Sequence, residues 1–552
     1  MKKLKKSEGI LALILIVLTF MFYLPNFQGY FQHDEWEGFA YYLSGRENLL
    51  TLFKPYVTHY VPFAKLFYYL YFSVFGFNFF WHSLSSIAAH MLVVYLCYVL
   101  FIKLLKNKTL SFLSSLLFAI GASGHQATSW IGASINTHGS AIFGLLALIV
   151  LYKFNKVWLS IMFLIISLLF KETTIAFFII LPMMVYIFDK KKFITNWFGY
   201  IKITLAGFLY FALRYSMLFF QRASIADQLV IETQSLSNIM GNMITFPVKI
   251  FSQSIIPTGQ LLVLAKNISK VLPPTITGLY GTTAFDVFTE GTALQILNWL
   301  IFLICTLSLV YVTKISKNEP IKKTAVFGFI FVVLNSFIYA LSPGRSGNIP
   351  VVDSRNIYLP SIGTALFFVS VIYLLLKEKT VRTFLVISLF IVLNIFWLEK
   401  ELKFLAERGT ERKEILYQIQ NVYPTLPKKV IFYMVSDRSF YGLPESEAIF
   451  PFEINLGYII MVLYQPTQRF PKEFIGRTDF LYGSMTKEGY IETGGRGFGY
   501  FRNWDLFIQA IKDNNLDEDS VIAFSYHFSD KSVEDITPQV RKEIDVMVGK
   551  IK

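Results

Sequence analysis

The chain has 552 residues, of which 54% are hydrophobic and 16% charged, with a formal net charge of +14. Its 56 phenylalanines and mean hydropathy of +0.50 point to an integral membrane protein and exclude an ordinary soluble one. The charge does not mark a nucleic-acid partner: residues 1–399 carry 31 basic and 15 acidic residues, residues 400–552 carry 20 and 22, and an excess that lies mainly in short loops between spans sets topology. Cys97 and Cys305, the only cysteines, each sit in an apolar run, so neither a disulfide framework nor a thiolate metal cluster is expected.

Met1–Lys6 is basic and Ile10–Leu24 apolar. Leu24-Pro25-Asn26 stands where a signal peptide would carry a small-residue cleavage site. The segment therefore reads as an uncleaved first helix with a cytoplasmic N-terminus. The stretch Gln32-His33-Asp34-Glu35-Trp36-Glu37 then lies outside. Carboxylates are costly in lipid, so Asp34 and Glu35 need water or a polar cavity at the membrane face. The plainer reading is a solvated acidic loop.

Pro62–Phe77 is short and interrupted by Lys65, and reads as a helix lying in the outer interface. Trp81–Leu105, Leu110–Ile120, Ile135–Tyr152, Val157–Phe170, Thr174–Phe188 and Phe193–Phe220 read as spans. So do Leu294–Val312, Thr324–Leu341, Tyr358–Leu376 and Thr383–Leu398, about eleven spans in all. Residues 221–290 hold Pro247, Pro257, Pro273 and Pro274 and are placed outside, with Ile239–Leu264 interfacial or re-entrant. With this order the dense lysines, such as Lys103, Lys153, Lys190–Lys192, Lys322 and Lys377, all fall inside.

Residues 400–552 have a soluble composition. Val430–Val435, Tyr458–Tyr464 and Val521–Ser525 read as strands, and Trp504–Lys512 as an amphipathic helix. A small soluble α/β domain is expected, extracytoplasmic by span parity. Gly494-Gly-Arg-Gly-Phe-Gly499 lacks the Gly-Lys-Ser/Thr ending of a phosphate loop and reads as a turn.

Ionisable residues near the spans fall on one side: Asp34, Glu35, Lys171, Glu172, Arg214, Arg345, Asp353 and Arg355 all lie at outer ends. That convergence suggests an outward-facing polar cavity. Each has a plainer reading: Lys171-Glu172 as a snorkelling pair, Arg214 as a headgroup anchor, Asp353 to Ser361 as a capped helix start. His82 and His90 are eight residues apart, about 80° off one helical stripe, and read as satisfied core histidines. His125, Trp130 and His138 either line an acceptor path or are ordinary interface residues. No cofactor is expected. A divalent cation on His33, Asp34, Glu35 and Glu37 is the weaker reading, because no second His/Asp cluster supports it.

Several segments together resemble membrane glycosyltransferases of the GT-C class, above all the transmembrane-and-tetratricopeptide O-mannosyltransferase group and its bacterial relatives. They are Asp34-Glu35, Val61-Pro62 to Asn78, Trp81-His82 with His90, and Phe118 through His125 to Trp130-Ile131. Phe170-Lys171-Glu172-Thr173, Phe211-Ala-Leu-Arg214 and Arg355-Asn-Ile-Tyr358-Leu-Pro-Ser361 complete the series. The likeness covers roughly residues 8–400; the tetratricopeptide array is absent, and Val61 stands where the family has a basic residue.

The resemblance implies a mainly α, GT-C-like transmembrane bundle over residues 1–399. It implies inverting transfer of mannose or another hexose from a polyprenyl-phosphate donor to a hydroxyl on an extracytoplasmic protein, glycan or lipid. Asp34 would be the general base, Glu35 would orient the acceptor or share that catalytic role, and Lys171, Arg214 and Arg355 would hold the phosphate, supported by Glu172, His82, His125, Trp130, Asp353 and Tyr358. Partners are then membrane lipid, the donor and the acceptor, with no nucleic acid. The competing class is a transporter or flippase of lipid-linked glycans, which should carry ionisable residues near the midplane and pseudo-repeat halves.

Overall fold

The structure is a computed structural model. It describes residues 6–32, 35–36, 39, 42, 49–53, 60–222, 236–270, 282–341, 350–438, 449–452, 455–471, 474 and 488–549. The chain forms two compact units: Met1–Phe27 with Leu49–Phe404, and Gln28–Asn48 with Leu405–Lys552.

The first unit is helical. It contains α1 (Lys6–Phe22), α2 (Pro62–Phe75), α3 (Phe79–Leu105), α4 (Lys108–Ala119), α5 (Ile131–Phe154), α6 (Val157–Phe170), α7 (Phe177–Phe188) and α8 (Trp197–Arg222). Then come α9 (Leu236–Ile255), α10 (Thr258–Ser269), α11 (Thr282–Ile315), α12 (Glu319–Ser336), α13 (Ser354–Leu375) and the first part of α14 (Thr380–Val422).

Local chemistry sets the reversals. Lys106 takes a left-handed conformation (φ 52°) that ends α3, and the Asn107 side chain accepts from Thr109 N and Leu110 N at 3.0 and 3.1 Å to begin α4. Asn155 (φ 54°) ends α5 the same way before α6. Glycines let the helices close up. A Cβ on Gly139 of α5 would meet the Phe170 ring at 2.3 Å, and one on Gly328 of α12 would meet the Gly363 carbonyl of α13 at 2.7 Å.

Among the described residues seven helices are long and apolar enough to cross a membrane, or eight if the pair Ile239–Ile255 and Thr258–Ser269, bent by 104°, counts as one broken span. The other expected spans differ for physical reasons. Lys108–Ala119, Val157–Phe170 and Glu172–Phe188 have 10–17 residues, roughly 15–25 Å of helix against the ~30 Å of a hydrocarbon core. α4 is apolar because protein surrounds it: Ser111, Ser114 and Ser115 are as buried as its leucines. Trp197–Arg222 is a continuous 26-residue helix carrying Lys202 and Arg214. The bend at Pro257 interrupts the expected interfacial or re-entrant segment, and fits a broken span as well as a re-entrant loop. α2 lies where an interfacial helix was expected in sequence, although its Lys65 is buried.

Large apolar side chains such as Trp158, Phe198, Phe208 and Leu389 are more than 60% exposed, which suits a lipid-facing surface. α3 and α5 run parallel, because Ser86 bonds Ser134 at 2.7 Å and His90 stacks on His138. At their C-terminal ends Lys192 Nζ donates to the Tyr152 carbonyl at 2.9 Å, and Thr324 donates to the Leu104 carbonyl at 3.2 Å. Asn318 reaches Glu378 at 3.0 Å. The lysines beside these residues, Lys103, Lys106, Lys153, Lys322 and Lys377, therefore gather at one end of the unit.

The second unit holds a five-stranded sheet, β1 (Lys429–Ser436), β2 (Gly489–Thr493), β3 (Arg496–Phe501), β4 (Val521–His527) and β5 (Ser532–Asp535), in the order β2-β3-β1-β4-β5. β1 is parallel to β3 and β4, with Ile431 opposite Gly499 and Val521, and both edge strands are antiparallel. Val430, Ile431, Phe432 and Met434 are fully buried, as a central strand covered on both faces requires. Ile431, Val521 and Ala523 pack under α16 (Trp504–Asp513) and α17 (Thr537–Gly549). Phe432 and Phe498 belong to the other face, with Phe470 after α15 (Leu456–Gln468).

Tyr458–Tyr464 is helical, not a strand. Asn455 caps α15 by accepting from Gly457 N at 2.8 Å, and every residue from Leu456 to Tyr464 is buried. An element apolar on all sides carries neither period. Gly494 and Gly495 have φ of 57° and 75° and form the two-residue turn between β2 and β3, as expected of a turn.

Candidate functional site

The helices bring several of the candidate residues to the first two turns of α5. Trp130 is its N-cap residue, and the Arg355 guanidinium lies 4.5 Å over the Trp130 ring. Asp353 occupies the N-cap of α13 without a side-chain capping bond, 4.0 Å from Arg355. The Gln126 backbone N–H donates to Ser354 at 3.2 Å, tying the start of α13 to the loop that carries His125 and Trp130.

Seven residues along α5 from Trp130, Thr137 accepts from Lys171 Nζ at 3.2 Å. Seven residues bring the chain back to nearly the same face, roughly 10 Å further along the helix. Lys171 ends α6, with φ −162° and ψ 141° turning the backbone out of the helix. Glu172 opens the short 3-10 turn that follows and is ion-paired with Arg214 of α8. Lys171, Glu172, Arg214, Trp130 and Arg355 thus belong to one region, at the end of α5 opposite the lysine-rich one.

The four described histidines of the bundle are hydrogen-bonded. His90 Nδ1 meets the Tyr358 hydroxyl at 2.7 Å and its Nε2 meets the Ala119 carbonyl at 2.9 Å. His138 bonds Ser134 at 2.9 Å and Thr128 at 3.3 Å, and His125 bonds Ser129 at 3.0 Å. His82 bonds the Gly76 carbonyl at 3.0 Å. His90, bonded through both ring nitrogens, fits the expectation of a satisfied core histidine. Tyr358 is 2% exposed and belongs to this network. His82, His138, Ser86 and Ser134 also line a cavity of about 140 Å³ between α2, α3 and α5, whose remaining wall includes Phe67 and Phe143.

Glu35 lies in the second unit. Asp34, with His33 and Glu37, lies outside the described residues, as do His59 and Arg345. Glu35 is fully buried, and its carboxylate accepts the Gln32 N–H while its own N–H donates to the Gln32 carbonyl at 3.3 Å. Those bonds tie the carboxylate into its own loop. Among the described residues no group of three His, Cys, Asp or Glu is arranged to hold a metal.

The sequence reading missed Thr137, Ser134, Ser86 and Thr128. Their signal is small polar residues recurring inside apolar helices, where a hydroxyl must find a partner. No model of a known protein family matches the chain, and no curated protein matches it significantly. The functional reading rests on the residues themselves.

Proposed function

We propose that this chain is a multi-pass integral membrane glycosyltransferase that moves a hexose from a polyprenyl-phosphate donor to a hydroxyl of an extracytoplasmic acceptor. The observation that carries the reading is the group of cations near the start of α5: Arg355 over the Trp130 ring, Lys171 bonded to Thr137, and Arg214 paired with Glu172 beside Lys171. Ionisable side chains gathered inside an apolar bundle are costly and mark a substrate or ion site by default. A phosphate takes charge-assisted bonds from lysine and arginine, and the planar arginine fork suits it. The lysine-rich end of the same helix would face the cytoplasm, leaving the cationic end and residues 405–552 outside.

In the reaction the acceptor oxygen forms a bond to the anomeric carbon from the face opposite the phosphate. Its proton passes to the Asp34 carboxylate. The bond from the anomeric carbon to the phosphate oxygen breaks, and the electron pair leaves with prenyl phosphate. Lys171, Arg214 and Arg355 stabilise the charge that grows there. Glu35, buried and accepting the Gln32 N–H, would help to hold the loop in shape.

The test is incubation of the purified protein in nanodiscs with a panel of prenyl-phosphate hexoses, scoring release of prenyl phosphate. Release with inversion supports the reading. No release, together with transbilayer movement of labelled donor, would make the chain a transporter of lipid-linked sugars.

A further inference from the structure

Every residue of α9 from Phe246 to Gln253 is buried. The Ser252 hydroxyl donates to the Asn298 carbonyl of α11 at 2.7 Å, and the Ser254 and Thr364 hydroxyls bond α9 to α13 at 2.8 Å. Gln253, fully buried between these anchors, bonds outside its own helix. Its Nε2 donates to the Pro350 carbonyl at 2.8 Å, and its Oε1 accepts from Val352 N at 3.1 Å. The amide fits only this way round, since the carbonyl needs a donor and the N–H an acceptor. The Asn298 side chain donates to the same Pro350 carbonyl at 3.4 Å.

The stretch gripped in this way is the entry to α13. Val352 is buried, Asp353 is the N-cap residue, and Arg355 lies in the first turn. Beyond the bend at Pro257, the same helix pair touches the segment that leads to Trp130: the Thr258 N–H of α10 donates to the Ser123 hydroxyl at 3.0 Å. The Gln126 N–H bonded to Ser354 joins the two segments directly. The bent pair α9–α10 therefore holds both stretches of chain that meet where the Arg355 guanidinium lies over the Trp130 ring.

We propose that Gln253 is a positioning residue for Arg355. One amide fixes a carbonyl and an N–H of the lead into α13, so the place where that helix starts is set from α9. An arginine fork binds an oxyanion through paired, directional bonds that depend on where its backbone begins. A misplacement of about 1 Å in such a group can cost on the order of 10²-fold. Only an amide of this length serves both backbone groups: methionine fills the space with neither bond, and glutamate sets a carboxylate against the Pro350 carbonyl. The proposal rests on the transferase reading for the nature of the ligand, a prenyl phosphate, but not for the hold on α13.

The experiment uses the full chain in nanodiscs, with farnesyl phosphate as the probe and Gln253→Met as the variant. Hydrogen exchange is followed in the peptide covering Pro350–Ile357 and in one covering Thr364–Leu375. The first should exchange about tenfold faster in the variant, with the second unchanged. Affinity for farnesyl phosphate should fall about tenfold, as for loss of one charge-assisted contact. Gln253→Met should add nothing to the loss caused by Arg355→Gln, whereas a merely structural role would add its effect in full. Ser254→Ala, which removes the bond from α9 to the middle of α13, should leave the affinity within about twofold of wild type. Unchanged exchange at Pro350–Ile357, normal affinity despite faster exchange, an additive effect with Arg355→Gln, or an equal loss in Ser254→Ala each overturns the proposal. If Gln253→Met does not accumulate, Gln253→Asn, an amide too short to span both groups, is read by the same criteria. Should the wild type bind no farnesyl phosphate, the transferase reading fails, while the exchange data still decide whether Gln253 holds the entry to α13.

Discussion

Arg214 and Glu172 form an ion pair between α8 and the turn after α6, with side-chain exposures of 16% and 13%. Two charges this far from water stabilise each other chiefly by sparing each other an unpaired state. Glu172→Gln should therefore destabilise the protein by about 3 kcal/mol, because it strands a buried guanidinium. The double change Glu172→Gln with Arg214→Gln should cost less than the sum of the singles. Thermal unfolding of the four proteins in nanodiscs measures this coupling. If Arg214 also meets the donor phosphate, added prenyl phosphate should restore part of the stability lost in Glu172→Gln. Additive single effects would mean the pair is only apparent.

Arg355 makes a different prediction, because its guanidinium lies 4.5 Å over the Trp130 ring. Lysine keeps the charge but neither stacks in this way nor offers a forked pair of donors. Arg355→Lys should weaken binding of a prenyl-phosphate donor about tenfold, roughly 1.4 kcal/mol of a charge-assisted bond. Trp130→Ala should produce a similar loss by freeing the side chain, and Trp130→Phe a smaller one. Equal donor affinity in Arg355→Lys and wild type would place the phosphate elsewhere.

How far the sequence shows all this depends on whether the signal is local. β1 is legible because Val430–Val435 is a continuous apolar run of strand-forming residues, and the turn at Gly494–Gly495 because two adjacent glycines allow positive φ. α15 is not, since burial on every side erases the period. The short helices mislead for a related reason: hydropathy measures what is hidden from water, and in α4 the cover is protein. Lys171, Arg214 and Arg355 stand out singly as charges among apolar residues, but their partners Thr137, Glu172 and Trp130 are chosen by packing. Nothing near Gly29 announces that it meets Gly409.

Tyr358 gives a contrast within the same bundle. Its hydroxyl and His90 Nδ1 are 2.7 Å apart, and both side chains are buried. Tyr358→Phe should leave one ring nitrogen without its bond, at a cost of about 1–3 kcal/mol. Donor KM should not change, because the network is part of the core. A raised KM at normal stability would return Tyr358 to the substrate site.

The lysine-rich end of α5 predicts the orientation of the chain. In a background with Cys97 and Cys305 changed to Ser, Lys191→Cys and Asp519→Cys are treated with a membrane-impermeant maleimide on intact cells. Asp519 is 86% exposed, so a cysteine there is accessible. Labelling should occur at 519 and not at 191. The opposite pattern would invert the topology and remove the proposed acceptor from the face that carries Arg355.

Asp34→Asn tests the chemistry itself. The change is nearly isosteric, so the anchors on either side, Tyr30 and Trp36, should stay buried, and hydrogen exchange of the loop should match wild type. What is lost is a carboxylate able to take a proton at neutral pH. General base catalysis contributes typically ~10²–10⁴-fold, and turnover should fall by at least that order while donor affinity stays close to normal. Glu35→Gln should behave differently. Glu35 is fully buried and bonded to the Gln32 backbone, so its loss should loosen the loop and slow turnover in proportion to the increase in exchange. Near-normal rates in both variants would reduce the acidic stretch to a structural loop, and the base would then have to be sought among residues outside it.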